Sequence, residues 1–331
     1  MRTIIRTVAG ALAAAGALAA AALPVTPARA ADKFPSRPIT LIYPFPAGGP
    51  IDVHLRVLAT QAEKVFGVPV VIDTKPGASA TLGPATMAAT AKPDGYTISE
   101  FSVGIFTVPF IQKTTFDPAK DFTYIIGLAS GHLVTLVRAD APWKTWADLA
   151  ADAKARPGQI SWGSTGAGGT THLAFEQVML SLGLKFLHVP LRGGAEQMAS
   201  LLGGHVQVIP TGGLAGQAVD AGQARPLLWL TTTPGTRYQN LPTLRDVGVE
   251  PMIDTSFPYG LGGPKGMDPK IVKILHDGFK KAADTPEHAR VLKQIESDYR
   301  YMSSEDYTAF AQQQIVAYRK FMEAIGIKRK D

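Results

Sequence analysis

Short apolar runs rich in β-branched and aromatic residues alternate with segments of helical spacing along most of the chain, and this alternation constrains the fold more than any other feature. Residues 39–43 form one such run, ended by Pro44 and Pro46. Ala47-Gly48-Gly49-Pro50 then turns the chain. Ile51, Leu55, Leu58, Ala59, Ala62 and Phe66 follow at the spacing of one helix face, and Gly67 stops that helix. Further strands are predicted at 70–72, 96–101, 124–128, 133–138, 160–162, 186–189, 206–209 and 227–231. Helices are predicted at 82–91, after a Thr145 cap with Asp148 in its first turn, at 170–182, 195–202, 214–221 and 269–283, then from Pro286 and from Ser304. Strands that alternate with helices mean an α/β fold with largely parallel sheets. No internal repeat interrupts the pattern.

The first thirty residues stand apart. Arg2 and Arg6 open a basic start, an apolar stretch runs from Val8 to Leu23, Pro24 and Pro27 break it, and Ala28-Arg29-Ala30 supplies an A-x-A site. A cleavable secretory signal peptide over 1–30 is expected, with processing after Ala30. The apolar stretch is Ala-rich and falls short of the ~20 residues that span a bilayer, so no lasting membrane insertion is expected. The mature chain is then placed in an export compartment, most simply a bacterial periplasm. Loss of Arg2, Arg6 and Arg29 lowers the formal net charge from +6 to +3. The remaining basic residues are dispersed and not interleaved with aromatics, which argues against nucleic acid. No cysteine is present, so a lipid-modified cysteine, a disulfide scaffold and a thiolate metal site are excluded.

Two segments share the form strand, glycine-rich turn, helix. One is Tyr43-Pro44-Phe45-Pro46-Ala47-Gly48-Gly49-Pro50-Ile51-Asp52; the other runs from Trp162 through Gly163-Ser164-Thr165-Gly166-Ala167-Gly168-Gly169 to Thr170-Thr171-His172. In open α/β sheets, ligands bind beyond the carboxyl ends of strands, where such turns lie. A helix start offers unpaired N–H groups and the positive end of the dipole, and glycine lets an anion approach without meeting a Cβ. Each turn is thus a candidate carboxylate cradle, with hydroxyls of Ser164, Thr165, Thr170 and Thr171 as further donors. The plainer alternative is two ordinary tight βα turns. Asp52 suits a first-turn role that favours the dipole, with Arg56 one turn on to pair with it. His172 either bonds a ligand or holds the second loop. Arg192, in a third turn at 190–194, either meets a carboxylate or faces solvent. Trp162 precedes the second loop, where it either lines a cleft or packs in the core.

Other chemistries lack their residues. Gly169 stands where a phosphate loop needs Lys, and Thr171 where a dinucleotide fingerprint needs its third Gly. No G-x-S-x-G elbow surrounds Ser164, and the seven His show no H-x3-H pair. No catalytic set, cofactor or metal site is expected.

The ordered motifs resemble the Bug-type receptors, the substrate-binding components of tripartite tricarboxylate transporters. The resemblance rests on Pro44 to Asp52 with Arg56, Lys75-Pro76-Gly77-Ala78, Lys92-Pro93-Asp94-Gly95-Tyr96-Thr97, and Phe116-Asp117-Pro118 with Lys120-Asp121-Phe122. It continues with Gly163-Ser164-Thr165-Gly166, Gly168, His172-Leu173, Gly193-Gly194, Gly203-Gly204, Leu241-Pro242-Thr243 and Tyr259-Gly260-Leu261 before Pro264. It implies a two-lobed, periplasmic-binding-protein type II (Venus-flytrap) fold, each lobe a mostly parallel sheet flanked by helices. Lobe 1 is expected over 31–133 plus 253–331, and lobe 2 over 134–252.

The resemblance also implies a monomeric receptor for a small carboxylate (a di- or tricarboxylate, an acidic amino acid or an aromatic acid) that docks transiently on membrane permease subunits. Ligand contacts are implied at Phe45, Ala47, Gly48, Gly49 and Asp52, and at Ser164, Thr165, Gly166, Gly168, Thr170 and His172. Ser79-Ala80 stand where the family usually has two glycines, Gly169 where Ser is frequent, Leu191 where Tyr is common and Pro258 where Trp is common. These departures suggest a bulkier or more apolar ligand. A ligand sensor coupled to a signalling receptor, or a hydrolase or lyase on the same fold, are the alternative functions.

Overall fold

The computed structural model describes residues 34–235, 237–326 and 329, and each predicted strand and helix within them is present. The expected signal peptide and its cleavage point lie outside the described residues. The strands are β1 (Ile39–Tyr43), β2 (Val70–Thr74), β3 (Thr97–Phe101), β4 (Phe122–Gly131), β5 (Val134–Arg138), β6 (Ser161–Ser164), β7 (Leu187–Pro190), β8 (Val208–Thr211), β9 (Ala224–Trp229), β10 (Tyr259–Pro264) and β11 (Ser297–Met302). The helices are α1 (Pro50–Phe66), α2 (Leu82–Thr90), α3 (Gly104–Thr107), α4 (Trp146–Ala155), α5 (Thr170–Leu182), α6 (Gly194–Leu202), α7 (Ala215–Asp220), α8 (Pro269–Ala283), α9 (Pro286–Gln294) and α10 (Ser304–Ala324).

The strands form two sheets, in the orders β11-β4-β10-β3-β1-β2 and β7-β6-β8-β5-β9. Side chains alternate between the faces of each, as the period of a strand requires. Leu41 joins Leu55, Leu58, Ile98, Ile126 and Phe279 on the side covered by α1 and α8. Its neighbour Ile42 joins Met87, Phe101, Phe106, Tyr307 and Phe321 on the side of α2, α3 and α10. In the second sheet Val137 packs with Trp146, Trp162 and Phe175, whereas Leu136 packs with Leu201, Ile209 and Trp229. Burying one such leucine contributes about 1.5–3 kcal/mol, so each sheet carries a core on both faces.

The sheets are mixed, where the alternation pattern predicts largely parallel pairing. β2, β1 and β3 run parallel, as do β7, β6 and β8. β10, however, lies antiparallel between β3 and β4, and β5 lies antiparallel between β8 and β9. The reason is connectivity: the chain leaves the first sheet after β4 and re-enters it with β10 from the other direction. Tyr-Gly-Leu-Gly-Gly-Pro reads as loop by propensity. It forms a fully buried strand because a Cβ at Gly260 or Gly262 would overlap Ile126 O or the Phe101 ring, so only glycine lets the neighbours approach.

The two crossings are hydrogen-bonded to each other, with the Gly131 amide donating to Ser256 O at 2.8 Å. Phe257, at φ 36, sits beside that bond and packs against the cores of both sheets.

Candidate functional site

A cleft opens between the two sheets. Its walls are the loops that leave the carboxyl ends of β1, β3, β6, β7 and β8, together with the crossing segments. The lining combines apolar side chains (Phe45, Ile51, Val103, Leu133, Phe257) with hydroxyls (Tyr43, Ser102, Thr165, Thr170, Thr211). Among the described residues that line it, none is cationic or acidic.

Helix starts take the place of charges. α1 begins after Gly49, in extended conformation at φ −79 and ψ 166, and the first helical bond is Val53 N to Gly49 O. Pro50 has no amide, and those of Ile51 and Asp52 precede that bond and have no helical acceptor. α5 begins after Gly169, with Leu173 N on Gly169 O, and α6 after Gly193, with Gln197 N on Gly193 O. Gly49, Pro50, Ile51, Thr170, Thr171 and Gly194, all at these three starts, line the cleft. The positive ends of three helix dipoles therefore converge on one volume.

The predicted residues divide into two groups. Phe45, Gly49, Thr165 and Thr170 line the cleft. Ala47 and Gly48 are exposed at the turn, and the Gly48 amide donates to Asp52 Oδ2 at 3.0 Å. Asp52 is buried, and Arg56 donates to it at 3.1 Å, the spacing expected one helical turn apart. It holds the first turn together and lies off the cleft lining.

The second loop is likewise braced from within. Thr165 N donates to Thr171 Oγ1 at 2.9 Å, Gly166 N to Ser164 Oγ at 3.2 Å, and Gly168 N to His172 Nδ1 at 3.0 Å. These amides are occupied by the loop's own side chains, so the donors left for a ligand are those of the helix's first turn. His172 is buried, its ring stacked on Trp162 at 5.7 Å. Trp162 is fully buried and belongs to the core rather than to the cleft. The Arg192 side chain is 86% exposed, 4.0 Å from Glu196, and is not part of the lining.

Ser164 Oγ lies 2.7 Å from His188 Nε2, a pair that sequence could not show because β6 and β7 bring it together. Ser164 is fully buried and outside the lining, and burial, with the nearby His172, lowers the His188 pKa to about 3. The pair positions the loop.

The cleft floor holds further groups that have no local signature. Ser102 donates to Glu100 Oε1, and Glu100 is fully buried. Desolvation raises its pKa to about 8 against the pull of that hydrogen bond, so the carboxyl stays neutral below that pH. The Tyr259 hydroxyl bonds His54 Nδ1 at 2.8 Å, and His54 Nε2 meets His288 Nε2 at 2.7 Å. Burial lowers the pKa values of these two histidines to about 3 and about 4, so both are neutral at pH 7. Tyr43, Ser102, Gln197, Thr211 and Phe257 reach the cleft only through sheet order and the crossings.

The two walls also touch at the mouth. Ser79 Oγ donates to Ala167 O at 2.7 Å, and Thr107 Oγ1 to Gly168 O at 2.6 Å. Ala78, Ser79 and Ala80 hold φ of 48, 53 and 68, the left-handed region that glycine occupies at no cost. Here a serine accepts that conformation and reaches the opposite wall. Gly168 holds φ +74, which favours glycine, and a Cβ there would also oblige Ile111 Cδ1 to move.

Comparison with known proteins places this architecture. The family model described as "Tripartite tricarboxylate transporter family receptor" matches residues 54–327. A Cupriavidus necator protein described as "UPF0065 protein in gbd 5'region" is 40% identical over 316 residues, covering 95% of this chain and 96% of its own. The structure of R. palustris Rpa4515 with adipate is 28% identical, with a TM-score of 0.83 over 90% of this chain and all of that one. The structure of the periplasmic binding protein BugD is 26% identical, with the same TM-score and coverage. The motifs read in order along the sequence, the two-sheet cleft and these matches agree: the chain belongs to the receptor family of the tripartite tricarboxylate transporters.

Proposed function

We propose that the chain is a non-catalytic, extracytoplasmic receptor that closes its two halves on a small carboxylate and delivers it to the membrane subunits of a tripartite transporter. The observation that carries this reading is the convergence of three helix starts on a cleft whose described lining has no charged side chain. Backbone amides at helix N-termini bind anions without Lys or Arg. The adipate carried by Rpa4515 supports the same ligand class.

In this reading the signal over 1–30 is cleaved after Ala30 and the mature protein works in the periplasm as a monomer. Residues 31–133 plus 253–331 form one lobe and 134–252 the other, and they hinge at the two crossings beside Phe257. Among the described residues no helix is long and apolar enough to cross a membrane. The anion meets the first-turn amides of α1 and α5, while Ser164, Gly166, Gly168, His172 and Asp52 hold those turns in shape. Ala47, Gly48 and Arg192 serve the rim. Closure then excludes water and presents a joined surface to the permease.

A thermal-shift screen of the purified protein against dicarboxylates, tricarboxylates and aromatic carboxylates tests the proposal. A true ligand at a hundred times its Kd adds about 2.7 kcal/mol to native stability and raises the melting temperature. If no carboxylate at millimolar concentration moves the transition, the receptor reading is wrong.

A further inference from the structure

Strained backbone in this molecule gathers where its two halves meet. Among the described residues, five that are not glycine hold φ in the left-handed region: Ala78, Ser79 and Ala80 at 48, 53 and 68, Phe257 at 36 and Glu296 at 54. An L residue is disfavoured there and stays only where its surroundings over-determine it. Phe257 sits at a crossing, against the cores of both sheets. The other four belong to the half that carries the first sheet, and Ser79 and Glu296 each reach across to the second.

Ser79 donates to Ala167 O at 2.7 Å, and Thr107, fully buried, adds the bond to Gly168 O at 2.6 Å. A Cβ on Gly104 would overlap Ser79 O, and one on Gly166 would come within 3.0 Å of Ser79 Oγ, so the loop is pressed from both halves. The two carbonyls belong to peptides whose N–H groups are held inside the second half, Gly168 N by His172 Nδ1 at 3.0 Å and Gly169 N by Gly166 O at 3.1 Å. The grip from the first half therefore fixes the turn that precedes α5. At a second place, Glu296 Oε1 lies 3.2 Å from Arg237 Nη1, and a Cβ on Gly213 would overlap Ile295 O. All of these contacts are made by the chain itself.

We propose that the 78–80 loop with Thr107, and the turn at Glu296, are two clasps that hold the halves closed by direct bonds while their own backbone strain favours release. The inference rests on the reading of two halves that hinge at the crossings. It adds that the clasps set the balance of open and closed forms before any ligand enters. On opening, the bonded groups pass to water and the backbone is free to relax to negative φ. Contact and strain thus pull in opposite directions, and substitutions separate them. Removing one hydrogen bond should favour the open form by about two- to tenfold. Glycine at a strained position holds positive φ without penalty, so it should favour the closed form by about fivefold.

The chain has no cysteine, so Lys92→Cys and Lys154→Cys, at exposed positions of the two halves, accept spin labels without competition. Pulsed-EPR distances and small-angle scattering on the ligand-free protein then supply the test. Ser79→Ala, Thr107→Val and Glu296→Ala together should raise the open-to-closed ratio by roughly tenfold to a thousandfold, the product of the single effects. Ala78→Gly, an exposed position that makes none of the bonds, should return that variant about fivefold towards closed. Thr107→Ser keeps the hydroxyl and should match wild type. If the triple variant does not fold, Ser79→Ala with and without Ala78→Gly gives the same pair of signs. A ratio unmoved by loss of the clasp groups, or moved towards open by Ala78→Gly, overturns the inference. A single unchanging distance in every variant removes the hinge along with the clasps, and carboxylate binding is then decided separately by the thermal-shift screen.

Discussion

Glu100 shows how much one side chain beneath the cleft can matter. Fully buried and raised by desolvation to about 8, it is a neutral carboxyl bonded to the cleft residue Ser102. An ionised carboxylate there would oppose the ligand, and burial removes that charge without a cationic partner. Between its ordinary value of 4.5 and about 8 the folded protein binds one more proton than the unfolded chain, so this group makes stability fall as pH rises. Glu100→Gln keeps an acceptor for Ser102 and cannot ionise. Denaturation at pH 8 should find the variant more stable than wild type by roughly 1–3 kcal/mol, with the difference shrinking towards pH 5. Little of this was legible in sequence, because a single Glu in a strand carries no sign of its depth. Asp52 was different: its position in the first turn and the Arg56 spacing sufficed, since both partners lie on one helix.

At the scale of elements, local signals told most where the partners are near in sequence. The α4 start is a complete capping box: Asp148 N donates to Thr145 Oγ1 at 3.2 Å and Thr145 N to Asp148 Oδ2 at 2.8 Å. Thr145→Ala should cost about 1 kcal/mol, read as a lower denaturation midpoint with unchanged slope. α10 is capped by the Ser303 hydroxyl, which accepts from Asp306 N at 3.1 Å and donates to Asp306 Oδ2 at 2.7 Å. β10 is the contrary case, a central strand that the sequence disguises as a loop. What holds it is the close fit of Gly260 and Gly262 to Ile126 and Phe101, more than a hundred residues away.

Over the whole molecule, buried titratable groups set the pH range of the fold. His54 and His188 are lowered to about 3 and His288 to about 4, each chiefly by burial, from an ordinary value of 6.5. Between those values and 6.5 the unfolded chain binds more protons, so stability from these groups is complete above 6.5 and is lost as pH falls. Glu100 and Glu296, both raised by burial, have the opposite slope, but two groups do not outweigh three below 6.5, and above it Glu100 goes on titrating until about 8. The melting temperature should therefore peak near pH 6.5 in a calorimetric series at constant ionic strength. A plateau extending unchanged to pH 8 would show that Glu100 is ionised in the folded state.

The α/β class, the element boundaries to within a few residues, the glycine turns ahead of three helices and the family likeness were all present in the sequence. Each depends on short-range regularities: periodicity, caps, turn residues and motif order. Tertiary structure alone decided the strand directions, the burial of Trp162 and His172, the exposure of Arg192, and the arrival of Gln197, Phe257 and Ser102 at one cleft. Those outcomes depend on which strands become neighbours and where the chain crosses between the sheets. Such pairings join residues far apart in sequence, through packing that no local window contains.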